Sequence, residues 1–169
     1  PLYSSAASDV YKRQVYKHIF DRQNNINDSF VATLIPRLIE PPTSVETHGL
    51  RFTPLKLLHG KLPVLGFRIE ALNEDGHVAA NQPGPLPLAY CTDVSNIPPE
   101  TWPRLTGLKT LVLDMLRYRK HPTHMTVDEA INAAGEIDAG QTWFTHMTHD
   151  ISHAELDPKL PMAMNLAYD

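Results

Sequence analysis

The stretch Thr145-His146-Met147-Thr148-His149-Asp150-Ile151-Ser152-His153 gathers three imidazoles within eight positions. It follows Gln141-Thr142-Trp143-Phe144, a run of strand-favouring types, and precedes the helix-like Ala154-Glu155-Leu156-Asp157. Imidazole is a common ligand for divalent metals, and strand-to-helix junctions are where α/β proteins assemble their sites. Three earlier strand-like runs end in the same way. Leu50 to Leu58 runs into His59, Leu88 to Thr92 into Asp93, and Thr110 to Leu113 into Asp114. With His146, four separate strands each deliver a ligand-type residue at the carboxyl end. Loops at those ends converge in an open α/β sheet. Two imidazoles and at least one carboxylate meeting there suit zinc, manganese or iron. Each residue alone has a plainer reading, Asp114 as a turn cap and His59 as a hydrogen-bonded core histidine. Their equivalent placement favours a metal site.

The remaining elements must hold these ends together. Val64 to Ile69 reads as a further strand, Asn73-Glu74-Asp75-Gly76 as a turn, and Asn81 to Pro87 as a proline-rich surface loop. Pro98 to Leu105 reads as a short helix with prolines in its first turn. Thr126 to Ile137 reads as a helix opened by a capping box, Thr126 with Glu129. A short helix to Leu160 and a last strand, Met164 to Tyr168, complete an alternation of strand and helix that defines an α/β chain. Upstream, Val15 to Phe20 reads as the end of a helix and Asp21 to Ser29 as a polar loop. Phe30 to Ile39 is apolar and is closed by Pro41-Pro42. His18 and His48 are expected to face solvent.

Composition narrows the function classes. A length of 169 residues suffices for one domain with a real core. Charged residues make up 20% and the net charge is −4, which argues against a nucleic-acid binder driven by bulk positive charge. No apolar run approaches the ~20 residues of a membrane span. One cysteine, Cys91, excludes an internal disulfide framework and fits a reducing compartment, so a cytoplasmic location is expected.

Pro1 to Gln14 shows no periodicity, no signal-peptide core and no helix cap. Ser4 to Gln14 matches an in-frame translation of a transposase-based sequencing adapter. This segment is therefore expected to be foreign to the domain, which is assigned to Val15 to Asp169. With the chain also stopping just after a strand, it is expected to be a fragment of a longer protein.

Four motifs in order resemble the metallo-β-lactamase fold family. They are Leu58-His59-Gly60-Lys61, Thr92-Asp93, Leu113-Asp114 followed by Pro122-Thr123-His124, and Thr145-His146-Met147-Thr148-His149. The branch they resemble is that of the PhnP-like phosphodiesterases and, more distantly, the tRNA 3′-processing endonuclease Z. The resemblance runs from about Gly49 to Asp169 and implies the C-terminal half of an αββα sandwich, truncated at both ends. It also implies two divalent ions, zinc or manganese, with a bridging hydroxide that attacks a phosphodiester. His59 would ligate one ion, Asp93 would bridge both, and His146 would ligate the other. His124 would be the general acid, oriented by Asp114. His149 and His153 would support the ligand imidazoles or serve structure. Arg117, Arg119 and Lys120 would either meet substrate phosphate or form a solvated loop. The family's His-x-His-x-Asp-His motif is absent, so the chain alone is expected to be unstable and inactive. The implied substrate is a small phosphodiester or cyclic phosphate, with nucleic acid less favoured, no membrane, and a homodimer left open. The alternatives are a thioester or lactone hydrolase of the same fold, or a non-catalytic metal-binding or interaction module.

Overall fold

The computed structural model describes residues 39–168, which lie in one compact unit, Ile39–Asp169. The readings of Pro1 to Gln14, of Val15 to Leu38 and of His18 fall outside the described residues. Seven strands form a single mixed sheet in sequence order. They are β1 (Val45–Thr47), β2 (Leu50–His59), β3 (Leu62–Ala71), β4 (Leu88–Cys91), β5 (Thr110–Asp114), β6 (Gln141–Thr145) and β7 (Met164–Leu166). Helix α1 (Val127–Ile137) joins β5 to β6, and the short α2 (His153–Leu156) lies between β6 and β7. No helix among the described residues is long and apolar enough to cross a membrane.

Strand direction is the feature that matters for the site. Pairing is antiparallel from β1 to β4 and parallel from β4 to β7. Strands β2, β4, β5, β6 and β7 therefore all point the same way, and their carboxyl ends share one edge. Two of the three antiparallel connections are two-residue turns that use left-handed backbone. His48 (φ 50°) and Gly49 (φ 72°) join β1 to β2, and Gly60 (φ 65°) with Lys61 joins β2 to β3. Positive φ in these short turns matches the twist of the flanking strands.

One sheet face carries the core. Leu55, Leu57, Ala89, Cys91, Leu111, Leu113, Phe144 and Leu166 are each at most 1% exposed, and their registers put them on a common side. Helix α1 lays Ala130, Ala133, Ala134 and Ile137 into the same cluster. Val94, Ile97, Leu105 and Leu108, from the β4–β5 connection, complete it. The small residues on α1 let its backbone approach the sheet closely. On the other face, register aligns Phe67, Tyr90, Val112 and Trp143 in one row across four strands. Tyr90 and Trp143 there remain 48% and 40% exposed.

The capping box expected at Thr126 forms. Thr126 Oγ1 accepts the Glu129 N–H at 3.3 Å, and Glu129 Oε2 accepts the Thr126 N–H at 3.0 Å. At the far end Asp138 adopts a left-handed backbone (φ 53°) and donates its N–H to Ala134 O. One reading changes, and one strand was not foreseen. The segment Pro98 to Leu105 is not a regular helix but a 3₁₀ turn at Trp102–Leu105, because Pro98, Pro99 and Pro103 remove the amide donors that an α-helix needs. The strand β1 lacks an apolar alternation and was not legible.

Gly66 of β3 lies close against Leu57 of β2 and Tyr90 of β4. A Cβ there would meet Leu57 Cδ1 at 2.7 Å and Tyr90 O at 2.8 Å. Gly66→Ala is expected to destabilise the fold by about 1–3 kcal/mol, the cost of overpacking, as a lowered urea midpoint with unchanged slope. Thr126→Ala should cost about 1 kcal/mol through the lost cap. An unchanged urea midpoint in that variant would refute the capping assignment.

Candidate metal centre

The site is built by cross-ties between the loops that leave β2, β4, β5 and β6. Ser95, two residues past Asp93, donates its N–H to Leu58 O (2.7 Å) and its hydroxyl to the same oxygen (3.0 Å). Its Oγ in turn accepts the Gly60 N–H at 2.8 Å. These bonds draw the end of β2, with His59, to the loop carrying Asp93. Met125 N–H donates to Val94 O at 3.0 Å, tying that loop to the segment carrying His124. Met115 N–H donates to Thr145 O and Thr148 N–H to Leu116 O, joining the loops of Asp114 and His146. Gly60 packs directly on the His124 segment, since a Cβ there would lie 3.0 Å from Thr123 Cγ2.

His124 is the hub of the result. Its Nε2 lies 3.1 Å from His59 Nε2, and its ring centroid lies 4.7 Å from that of His59 and 4.8 Å from that of His146. Its Nδ1 lies 3.2 and 3.3 Å from the two oxygens of Asp114. Asp114 is fully buried and also accepts the Met125 N–H at 3.2 Å. Burial pushes the Asp114 carboxyl above the usual carboxylate range, while the hydrogen bonds from His124 and Met125 pull it the other way. Asp93 and His146 are more open, with His146 Nε2 3.4 Å from Asp93 Oδ1. Both have left-handed backbone, φ 54° and 66°. That region is uncommon for residues with a Cβ and recurs at functional sites.

Two clusters bring ligand atoms within 4.8 Å of one another, His59–Asp93–His124 and Asp114–His124–His146. Imidazole nitrogens and carboxylate oxygens gathered in this way could hold a divalent metal ion. The five residues singled out at strand ends and at His124 are thus brought together. His149 and His153 are not. His149 is 98% exposed in its side chain and meets Asp150 at 3.5 Å, and the His153 ring packs edge-on against Tyr168. Among the described residues neither touches the cluster, and Asp114 is the residue that orients a site imidazole. In the basic loop, Arg117 donates to Arg119 O and Lys120 O, each at 3.2 Å, and Lys120 pairs with Glu129. Two of its three cations are therefore engaged within the loop and α1.

Sequence reasoning missed His121. Its ring lies 5.2 Å from that of His124, tilted by 42°. Its Nδ1 is 3.4 Å from Thr123 N and 3.1 Å from Thr123 Oγ1. The signal was present in His121-Pro122-Thr123-His124, two imidazoles folded back by a proline within four residues.

A mixed sheet with a helix on its core face, and imidazoles and carboxylates gathered at its carboxyl edge, is the architecture of the metallo-β-lactamase fold. The chain belongs to the β-lactamase superfamily domain family, whose model it matches over residues 7–147. Among solved structures it is similar to a diphosphatase of the PhnP family, with 31% identity and a TM-score of 0.71 over 95% of this chain and 52% of that one. The metallo-β-lactamase fold protein YhfI of Bacillus subtilis shares 18% identity and a TM-score of 0.61, covering 93% of this chain and 66% of that one. Zn(2+)-bound PqqB of Methylobacterium extorquens shares 15% and a TM-score of 0.61, covering 99% and 61%. These two likenesses concern the fold alone. A curated octanoyltransferase of Porphyromonas gingivalis is 29% identical over 133 residues, which is 78% of this chain and 24% of that protein. The chain thus spans about a quarter of this curated relative and about half of the diphosphatase.

Ser95→Ala removes the acceptor of the Gly60 N–H and the hydroxyl donor to Leu58 O, while the Ser95 N–H still donates to that oxygen. The expected result is a stability loss of about 1 kcal/mol, together with weaker zinc binding in calorimetry, because the turn after His59 loses its side-chain tie to the Asp93 loop. Zinc affinity equal to that of the parent protein would show that the tie does not position the site.

Proposed function

We propose that the whole protein to which this chain belongs is a metal-dependent phosphodiesterase acting on a small or cyclic phosphodiester. It would use two divalent ions, zinc or manganese, held in part by His59, Asp93 and His146. The observation that supports this reading is the buried Asp114–His124 pair set against His59 and His146. When bound, the ions supply a water able to attack at neutral pH and positive charge for the phosphoryl oxygens. His124 gives its Nδ1–H to Asp114, which leaves Nε2 to carry the transferable proton. As the bond from phosphorus to the leaving oxygen breaks, that proton passes from Nε2 to the leaving alkoxide. The Asp114 carboxylate stabilises the imidazolium before transfer and fixes the ring. An imidazole suits this role because its ordinary pKa lies near working pH.

A second reading, cleavage of a diphosphate, is favoured by the 31% identical diphosphatase. The two differ in the leaving group, and a phosphate leaving group needs less help from an acid. Covalent acyl transfer finds no support in Cys91, which is fully buried with its thiol pushed up to about 12. We place the protein in the cytoplasm on its single cysteine, with a small substrate and without a membrane partner.

His124→Ala and His146→Ala separate the roles. Loss of His146 should lower metal content, and added metal should restore part of the rate by mass action. Loss of His124 should leave metal content unchanged and slow an alkyl diester by ~10²–10⁴-fold, with a far smaller effect on a nitrophenyl ester. Asp114→Asn should resemble His124→Ala in milder form. Metal loss in His124→Ala, or equal slowing of both substrates, would remove His124 as the acid.

A further inference from the structure

We infer that His121 is a substrate-contacting residue of this site, a neutral imidazole whose Nε2–H donates to a non-bridging phosphoryl oxygen. The inference rests on the phosphoryl-hydrolase reading above and deepens it by assigning a group that recognises the phosphate itself. The starting point is hydrogen-bond chemistry. A backbone N–H only donates, so the approach of Thr123 N–H to His121 Nδ1, at 3.4 Å, makes that nitrogen an acceptor. The Thr123 hydroxyl, 3.1 Å away, adds a second donor to the same atom. An imidazole that accepts at Nδ1 carries its proton at Nε2. Among the described residues nothing accepts that proton.

Position supplies the second half of the argument. The ring stands 5.2 Å from His124 and is part-exposed. Pro122 and Thr123, which connect the two imidazoles, are held against Gly60 at the turn that follows His59. His121 is thereby held beside the proposed proton donor, on a segment anchored at both ends. A donor fixed in its tautomer and left without a protein partner beside a phosphoryl site is matched to an anionic oxygen, where hydrogen bonds are stronger than neutral ones. The basic residues of the same loop do not supply this donor directly. Arg117 and Lys120 are engaged with the loop backbone and Glu129.

A donor that meets a non-bridging oxygen holds substrate and transition state alike, so its loss appears mainly in KM. In the zinc-loaded full-length protein, His121→Ala should raise KM for a phosphodiester and weaken inhibition by inorganic phosphate, each about ten-fold or more, with kcat within a few-fold and metal content unchanged. His121→Gln should recover most of both, because its amide nitrogen reaches the place of Nε2. In the unaltered protein, nitrogen-15 NMR should show the Nε2–H tautomer at His121 and a shift of that resonance on adding inorganic phosphate. An unchanged KM in His121→Ala, a Gln variant as poor as the Ala variant, or an Nδ1–H tautomer would each overturn the assignment. Should the unaltered protein hydrolyse no phosphate ester or diphosphate, the parent reading fails. The phosphate titration then still decides for or against the His121 donor.

Discussion

A carboxylate sealed from water persists in a fold only where donors meet it. Asp114, at the last position of β5, is met by His124 Nδ1 and by the N–H of Met125. Because these donors come from adjacent residues, one side chain fixes both the ring of His124 and the backbone that carries it. That ring in turn contacts His59, His121 and His146. The geometry of four imidazoles thus hangs on one buried anion. Desolvation of Asp114 opposes its ionisation, so its burial is weak as a source of stability and strong as a source of orientation.

Around this centre the fold supplies convergence rather than enclosure. Parallel strand directions bring the ends together, and backbone bonds between neighbouring loops hold them there. Asp93 and His146 occupy left-handed backbone, a conformation that costs on the order of 1 kcal/mol for a residue with a Cβ. The cross-ties from Ser95, Met115, Met125 and Thr148 over-determine those turns, so the strain is carried by the surrounding hydrogen bonds.

Much of this was legible in the chain. Strand-favouring runs that end in His59, Asp93, Asp114 and His146 announced the sheet and put ligand-type residues at the ends of its strands. The Thr126–Glu129 box announced α1. Other features had no local signal. The prolines before Leu105 suggested a helix start, yet they also prevent the helix from continuing. β1 is short and mostly exposed, and its turn uses His48-Gly49 where Asn-Gly would have been conspicuous. His149 and His153 were expected to support the ligand imidazoles or to serve structure, and His153 packs on Tyr168, away from the ligand cluster. Spacing along a loop does not reveal that His149 turns to solvent, and the fold brought in His121 instead.

The β3–β4 connection leaves the opposite edge of the sheet. It runs from Ala71 to Leu88, with Gly76 and Gly84 standing in open space at its bends. Its length therefore has no geometric bearing on where His59, Asp93, Asp114 or His146 fall. Chemistry and chain length are separated by the thickness of the sheet along its strands. Evolution can lengthen, shorten or decorate the bends at Gly76 and Gly84 while leaving the edge that carries His59, Asp93, Asp114 and His146 untouched, and a fluorescent label or an inserted peptide placed at those bends would ride on the protein as a silent passenger.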